Sequence, residues 1–212
     1  MTPGAALDRG LGELALALPA GARDKLLAYA ELLAKWNQTY NLTAIRDPLK
    51  MVNHHLLDSL AVLPHLPEAS AQSLADVGSG GGLPGIPLAI ARPAWRVCLL
   101  DSSQTKAAFL RQATIELGLG NAAVHAGRAQ AWKPGERFGI VISRAFAELA
   151  DFVRACRHLA APGAVLAAMK GAFPRAELER VPAGCDCGRV IRLAVPLLEA
   201  ERHLVLCRVA AG

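Results

Sequence analysis

The chain has 212 residues, of which 53% are hydrophobic and 19% are charged, and its formal net charge is +5 at pH 7. This composition is typical of a globular protein and excludes a disordered chain, and the length suits one domain with a sizeable core. No apolar stretch reaches the roughly 20 residues of a membrane span, and the basic charge is compatible with a nucleic-acid partner without requiring one.

Two helices are predicted in the first third of the chain. Apolar residues at helical spacing predict a helix from Arg23 to Trp36, and a second helix runs from about Pro48 to Leu63 with Asp47 as its N-cap. The stretch "WNQTYNLTAIRD" between them is polar and aromatic, which predicts a loop. We therefore assign residues 1–72 to an N-terminal helical extension that packs on the same domain as the rest.

From Ser73 onward, strands alternate with helices. The candidate strands are Leu74–Val77, Arg96–Leu100, Ala122–His125, Phe138–Ile142, Gly163–Ala168, Gly188–Val195 and His203–Val209, and the candidate helices are Pro84–Ala91, Gln104–Gly118, Ala147–Ala160 and Pro174–Val181. Such alternation indicates parallel crossover units. Only "PLLEAERH" separates the last two strands, which is too short for a parallel crossover, so they should form an antiparallel hairpin. We predict an α/β fold with a seven-stranded, mostly parallel sheet and an antiparallel closing strand.

The five cysteines are odd in number and scattered along the chain. Only Cys185 and Cys187 lie close together, and no second pair completes a zinc site. We expect reduced thiols, no bound metal and a cytoplasmic location.

The glycine-rich stretch "DVGSGGGLPG" follows the first strand of the alternating region. Gly78, Gly80 and Gly82 form a G-x-G-x-G pattern preceded by Asp76. Glycine permits positive φ and lets a ligand approach the main chain, and ligands of doubly wound sheets bind at the carboxyl ends of the strands. A tight turn without a ligand is the alternative. A phosphate-binding P-loop is excluded because no Gly-Lys-Ser/Thr follows.

The second strand ends in "VCLLDSS", which places Asp101 at the same edge of the sheet. An acid there accepts hydrogen bonds from both ribose hydroxyls of a nucleoside, or it caps the next helix, and the two roles can coexist. Loop and acid together predict an adenosine ligand, either a dinucleotide or S-adenosylmethionine. Asp76 would repel a diphosphate and attract an ammonium group, which, with the closing hairpin, favours S-adenosylmethionine.

Seven segments carry a resemblance to a known family: "WNQTYNLTAIRD", "HHLLDSL", "DVGSGGGLPGIPLAI", "LLDSSQTKAAFLRQ", "VISRAFAEL", "MKG" and "ERHLV". In this order they resemble the bacterial GidB/RsmG family, over about Ala28 to Val209. The resemblance implies a Rossmann-like class I methyltransferase domain over residues 73–212. It also implies a cytoplasmic enzyme that uses S-adenosylmethionine to methylate N7 of a guanine (position 527, in the 530 loop) of 16S ribosomal RNA. The partner would be this RNA or a small-subunit assembly intermediate, and we expect a monomer that binds no membrane.

The resemblance also implies cofactor contacts, residue by residue. With the loop residues above, the predicted cofactor-binding set is Asp76, Gly78, Gly80, Gly82, Leu83, Asp101, Ser102, Ser103, Ala129, Gln130 and Arg144. Ala129 and Gln130 would flank the adenine ring. Gln130 stands where family members often carry an acid, although an amide can still accept from an exocyclic amine. "GSGGG" replaces the more usual "GTGxG", a change that we expect to be harmless.

The substrate pocket has four candidate residues. Asn41 lies in "YNLT", where local loop capping is the alternative, and His55 shares a helix face with Asp58, where it either orients the base or braces the helix. Arg144 and Lys170 follow successive strands, where they suit RNA phosphate or guanine O6, with ordinary solvated charges as the alternative.

Guanine N7 already carries a lone pair, so its methylation requires positioning rather than deprotonation. We therefore assign no catalytic acid or base, and unpaired cations near N7 would hinder the reaction because the base becomes positive. Three other functions remain open: a non-catalytic RNA-binding module on a methyltransferase fold, a methyltransferase for a small molecule or protein, and a nucleotide-dependent oxidoreductase. Among RNA, a small molecule and a protein as substrates, only RNA requires a long basic surface on the enzyme.

Overall fold

A computed structural model describes residues 1–68 and 72–209. The first part of the chain is helical and comprises α1 (Pro3–Glu13), α2 (Ala22–Tyr40), α3 (Pro48–Met51), a π-helix (Val52–Leu57) and α4 (Asp58–Leu60). Helix α3, the π-helix and α4 are continuous, and together they form the helix predicted from Pro48. Residues 69–71, just before the predicted boundary between residues 72 and 73, lie outside the described residues, as do residues 210–212.

The rest of the described chain forms a single sheet covered by helices. Its strands are β1 (Ser73–Val77), β2 (Arg96–Asp101), β3 (Ala122–Ala126), β4 (Phe138–Ser143), β5 (Ala160–Lys170), β6 (Cys185–Arg192) and β7 (His203–Val209). The intervening helices are α5 (Gly85–Ala91), α6 (Gln104–Glu116), α7 (Leu149–Cys156) and α8 (Arg175–Leu178).

The sheet has the strand order β3-β2-β1-β4-β5-β7-β6. Strands β1 to β5 pair in parallel, whereas β7 is antiparallel to both β5 and β6. The predicted seven-stranded α/β fold with an antiparallel closing strand is confirmed. The strand order reverses between β1 and β4, and in doubly wound sheets ligands bind outside the carboxyl ends of the strands at such a point.

Both faces of the sheet are buried because successive residues of a strand point to opposite sides. On one face, Leu74 and Ile140 share a core with α2, the π-helix and α5; on the other, Ala75 and Val141 pack against α7. Leu7 of α1 belongs to the first of these cores and is fully buried. The N-terminal helices therefore share the core of the sheet.

Helix α1 and the last turn of α2 were not predicted. Three glycines weaken the helical pattern of α1, although Thr2 caps it and Pro3 begins it. Helix α2 continues to Tyr40 because Trp36 packs on Tyr40 and on Phe109, with ring centroids 5.2 and 5.5 Å apart. No helix within the described residues is long and apolar enough to cross a membrane.

The expectation of five reduced cysteines is wrong. Cys187 and Cys207 lie on the neighbouring strands β6 and β7 with their Cα atoms 3.9 Å apart, and they form a disulfide. Their separation of 20 residues gave no sign of this pairing, because strand register is a tertiary property. Cys98, Cys156 and Cys185 are free thiols.

Candidate cofactor and substrate site

The glycine loop turns between the carboxyl ends of β1 and β2. The amides of Gly78 and Ser79 donate to the Leu100 carbonyl at 2.8 and 3.0 Å. Gly78 has φ +74°, and a Cβ atom there would lie only 2.7 Å from the Cβ of Ala145. Any other residue would therefore be strained and crowded at this position. The loop presents bare main chain at the ligand-binding edge of the sheet.

Asp101 ties this loop to the start of α6. The carboxylate is nearly buried, and its Oδ2 accepts from the Gly80 amide while Oδ1 accepts from the Ser103 amide, both at 2.9 Å. Ser103 in turn caps α6. A carboxylate offers about four lone-pair positions, so acceptor capacity remains for ribose hydroxyls. The predicted alternative, Asp101 as the cap of α6, is wrong because Ser103 is the cap, although Asp101 supports it through the Ser103 amide. This contact is compatible with the predicted ribose contact.

A cavity of about 300 Å³ lies over the ends of β1 to β4. It is lined by Val77, Gly78, Leu100, Asp101, Ser102, Gly127, Arg128, Ala129, Gln130, Ala145 and Phe146. Five of these were predicted as cofactor contacts: Gly78, Asp101, Ser102, Ala129 and Gln130. Ala129 is buried in a short 3-10 turn, whereas Gln130 is exposed. We call this space the cofactor cavity.

A second groove of about 280 Å³ adjoins the cofactor cavity and shares Gly78 and Ala145 with it. It is lined by Leu42, Thr43, Gly78, Ser79, Gly80, Gly81, Leu83, Arg144 and Ala145. This space, the substrate groove, contains three more of the predicted residues, Gly80, Leu83 and Arg144, whereas Ser103 lines neither space. The segment after α2 supplies its second wall.

Asp76 lies behind the glycine loop and lines neither space. Its side chain is fully buried, Oδ2 accepts from the Gly85 amide at 2.9 Å, and Oδ1 has no partner within the described residues. Burial raises the pKa of Asp76 to about 7. The predicted direct attraction of an ammonium group by Asp76 is therefore not possible in this geometry. Gly82, which belongs to the loop itself, is also buried and lines neither space.

His55 is neutral and occupied within the protein. Its Nε2 accepts from the Thr43 hydroxyl at 2.8 Å, and its Nδ1 donates to the His54 carbonyl at 3.0 Å. Burial, aided by the charge of Arg144, lowers the pKa of His55 to about 4. Of the two roles considered for His55, the geometry favours bracing, since it fixes Thr43 in the wall of the substrate groove.

Asn41 ends α2 in the left-handed conformation, with φ +49°. Its Oδ1 accepts from Nη2 of Arg46 at 3.2 Å, and its side chain lines neither the cofactor cavity nor the substrate groove. These contacts fit loop capping better than a substrate contact. Asn37, which was not predicted, holds the same segment by accepting from the Thr43 amide at 2.9 Å.

Arg144 follows β4 and reaches across to the N-terminal extension. Its Nη1 donates to the His54 carbonyl at 3.2 Å and to Oδ2 of Asp58 at 3.3 Å. Nε of Arg202 donates to the other oxygen of Asp58 at 3.0 Å. Burial raises the pKa of Asp58, while the two arginines lower it. The carboxylate is therefore shared between two cations, and Arg202 was not predicted.

Lys170 is buried at the end of β5 and is fully engaged. Its ammonium group donates to the carbonyls of Phe146 and Ala147 and to Oε2 of Glu177, at 3.1, 2.7 and 2.7 Å. An ammonium group has three donors. The predicted contact with RNA phosphate is therefore not supported by this geometry, and Lys170 instead holds the segment after Arg144 in place.

Two further contacts hold the glycine loop and were not predicted. The hydroxyl of Ser143 donates to the Val77 carbonyl at 2.6 Å and accepts from the Ala145 amide at 3.1 Å. The hydroxyl of Tyr29, on α2, donates to the Gly81 carbonyl at 2.5 Å. Ser143 lies within "VISRAFAEL", where the resemblance could have indicated it, whereas Tyr29 occupies an ordinary core position of its helix.

Comparison with known proteins gives consistent matches over most of the chain. The family model GidB, described as rRNA small subunit methyltransferase G, matches residues 22–205. Relatives from Burkholderia ambifaria and Burkholderia thailandensis, both called ribosomal RNA small subunit methyltransferase G, are 51% and 53% identical. These matches cover 92% and 95% of this chain and 88% and 89% of the relatives.

Solved structures of methyltransferases share the fold. An O-methyltransferase from Bacillus cereus in complex with S-adenosylhomocysteine superimposes with a TM-score of 0.60 at 16% identity, over 98% of this chain and 100% of that chain. An S-adenosylmethionine-dependent methyltransferase from Aquifex aeolicus gives a TM-score of 0.58 at 20% identity, over 84% and 98%. The described sheet and its helices therefore have the architecture of this class of enzyme.

Proposed function

Since the chain belongs to the GidB family of small-subunit ribosomal RNA methyltransferases, we propose that it methylates N7 of a guanine in the 530 loop of 16S ribosomal RNA. The enzyme is a methyltransferase that depends on S-adenosylmethionine. One observation carries the proposal: a cavity suited to an adenosine and a groove suited to a base meet at Gly78 and Ala145. That junction is where donor and acceptor must come together.

The residues of the cofactor cavity fit S-adenosylmethionine. Asp101 retains acceptor capacity for the ribose hydroxyls, and Gln130 is exposed where the adenine ring would lie. The bare main chain at Gly78 would receive the amino-acid portion. When bound, the cofactor supplies a methyl group on a sulfonium.

The protein contributes positioning rather than proton transfer. Guanine N7 presents a lone pair at neutral pH, so no base is needed, and the buried neutral His55 is not placed to act as one. Alignment of N7 with the methyl group is therefore the main contribution. The shared carboxylate of Asp58 offsets the charge of Arg144 beside the base that becomes positive.

The other functions fit the site less well. A non-catalytic RNA-binding module would not need the cofactor cavity to keep its acid and its bare loop. A small-molecule or protein methyltransferase would share the cofactor cavity and the groove, but the family model and the relatives that match most of the chain are ribosomal RNA methyltransferases. We propose that the partner is 16S RNA or a small-subunit assembly intermediate, and that the protein acts in the cytoplasm as a monomer.

The proposal is tested by methyl transfer in vitro. Purified protein is mixed with S-adenosylmethionine carrying a tritiated methyl group and with either deproteinised 16S RNA or small subunits that lack the modification. We expect one methyl group per RNA molecule with at least one of the two substrates, and a lower initial rate with Asp101→Ala at the same subsaturating cofactor concentration. Methylation of neither substrate by a protein that binds S-adenosylhomocysteine would contradict the proposal.

A further inference from the structure

The buried carboxylate of Asp58 joins three separate parts of the fold. Its side chain is 2% exposed and lies between Nη1 of Arg144 at 3.3 Å and Nε of Arg202 at 3.0 Å. Asp58 belongs to the N-terminal extension, Arg144 follows β4, and Arg202 precedes β7. A carboxylate at this depth must be paired, because an isolated buried charge is strongly unfavourable.

The π-helix supplies the second anchor of Arg144. In an α-helix the amide of Asp58 would donate to the His54 carbonyl, four residues earlier. Here that amide donates to the carbonyls of Asn53 and His55 instead. The His54 carbonyl is thus open to Nη1 of Arg144, which reaches it at 3.2 Å. Turns of π-helix are frequent at functional sites, and this one binds a guanidinium group from another part of the chain.

Arg144 keeps hydrogen-bond donors for a ligand. A guanidinium has five N–H groups, and both contacts of Arg144 use Nη1. Across residues 1–68 and 72–209, no partner is found for its Nε or Nη2 groups. The side chain forms part of the wall of the substrate groove and is 29% exposed. Its remaining donors are therefore available at the position proposed for the base.

Guanine O6 is the acceptor next to N7, whereas adenine carries a donor amine at that position. A donor group beside N7 therefore favours guanine over adenine. An arginine there would also oppose the reaction, because the sulfonium and the methylated base are both positive. A carboxylate on its far side reduces that conflict while leaving the donors in place, although Asp58 shares its charge with Arg202.

From these contacts we infer that Arg144 selects guanine by donating to O6, and that Asp58 is the positioning residue that holds Arg144 and offsets part of its charge for this contact. The inference rests on the proposed function and adds the residue that determines base specificity. Arg202 shares the carboxylate but makes no contact with the groove.

The test combines a change in the protein with a change in the base. Single-turnover methylation is measured at saturating S-adenosylmethionine, with 16S RNA assembled by ligation to carry guanine or 2-aminopurine at the target. 2-Aminopurine keeps N7 and lacks O6. We expect the wild-type protein to methylate the guanine RNA about 10- to 100-fold faster than the 2-aminopurine RNA. The Asp58→Asn protein should methylate the guanine RNA more slowly than the wild type by a similar factor, so that its rates with the two RNAs become nearly equal.

Three control variants separate this role from a structural one. Asp151→Asn makes the same chemical change at an exposed ion pair and should keep the wild-type preference. Arg202→Gln should also keep it, because Asp58 still holds Arg144. Arg144→Gln should lose it, and this variant decides the question if Asp58→Asn does not fold.

Two results would overturn the inference. One is an Asp58→Asn protein whose methylation rate falls by the same factor with both RNAs, so that the full preference for guanine over 2-aminopurine is retained. The other is an Arg144→Gln protein that discriminates as well as the wild type. A wild-type protein that methylates the guanine RNA at another atom, or not at all, would instead refute the proposed function.

Discussion

Tyr29→Phe removes the hydrogen bond that ties the N-terminal extension to the glycine loop. The Tyr29 side chain is fully buried, and its hydroxyl donates to the Gly81 carbonyl at 2.5 Å. Phenylalanine fills the same space but leaves that buried carbonyl without this donor, which costs about 1–3 kcal/mol. In a chain of this size the loss corresponds to a melting temperature lower by about 2–12 °C.

The same substitution should weaken cofactor binding. Gly81 lines the substrate groove and belongs to the same loop as Gly78, which lines the cofactor cavity, so a looser loop must be ordered again when the ligand binds. Each 1.4 kcal/mol of that cost lowers the affinity about tenfold. Urea unfolding measures the stability, and calorimetry with S-adenosylhomocysteine measures the affinity.

Tyr40→Phe is the matched control for this prediction. It removes the same hydroxyl from a side chain at the end of the same helix that is 48% exposed. We expect no change in stability or affinity. If Tyr29→Phe behaves like Tyr40→Phe in both measurements, the bond to Gly81 does not hold the loop and the reasoning is refuted.

Three further variants test other parts of the site. Asp101→Ala removes an acceptor of two main-chain amides and of the proposed ribose contact, so S-adenosylhomocysteine should bind at least about tenfold more weakly in calorimetry. An unchanged affinity would leave Asp101 only the structural role of holding the Gly80 and Ser103 amides. Lys170→Met removes the cationic partner of Glu177 and leaves it only the Leu149 amide, so urea unfolding should show a loss of about 3 kcal/mol. The salt dependence of RNA binding should stay the same, and a flatter salt dependence with normal stability would instead indicate a phosphate contact. Asp76 has a pKa of about 7 in the folded protein, above its ordinary value of 3.8, so the folded state binds the proton more tightly than the unfolded state. The free energy of unfolding should therefore fall as the pH rises from about 4 to 7. Asp76→Asn should lack this part of the pH dependence, and identical pH profiles of the two proteins would contradict the prediction.

The sheet and the ligand-binding edge could be predicted because they depend on local patterns. Strand periodicity, the short connection before β7 and the glycines after β1 each have a direct meaning in the sequence. Helix α1 was missed because its glycines weaken a signal that packing against Leu57 restores. Propensity is a weak guide where tertiary contacts decide.

The contacts that shape the substrate groove could not be predicted, because they join residues far apart in the chain. Lys170 and Arg144 look alike in the sequence, as cations after successive strands. The structure buries Lys170 against Glu177 and leaves Arg144 at the groove. Asp76 was placed correctly at the end of β1, but periodicity does not show that its carboxyl faces the core side of the loop. Such differences depend on which neighbour fills the space beside each side chain.

Locating the methyl group on 16S RNA from cells shows which atom and which guanine the protein modifies. 7-Methylguanine makes an RNA chain cleavable by aniline after borohydride reduction, and primer extension then locates the cleavage. RNA from cells with the protein should be cleaved at one guanine of the 530 loop, and this cleavage should be absent from cells that lack the protein. Identical cleavage at that guanine with and without the protein, or no cleavage there in either, would contradict the account.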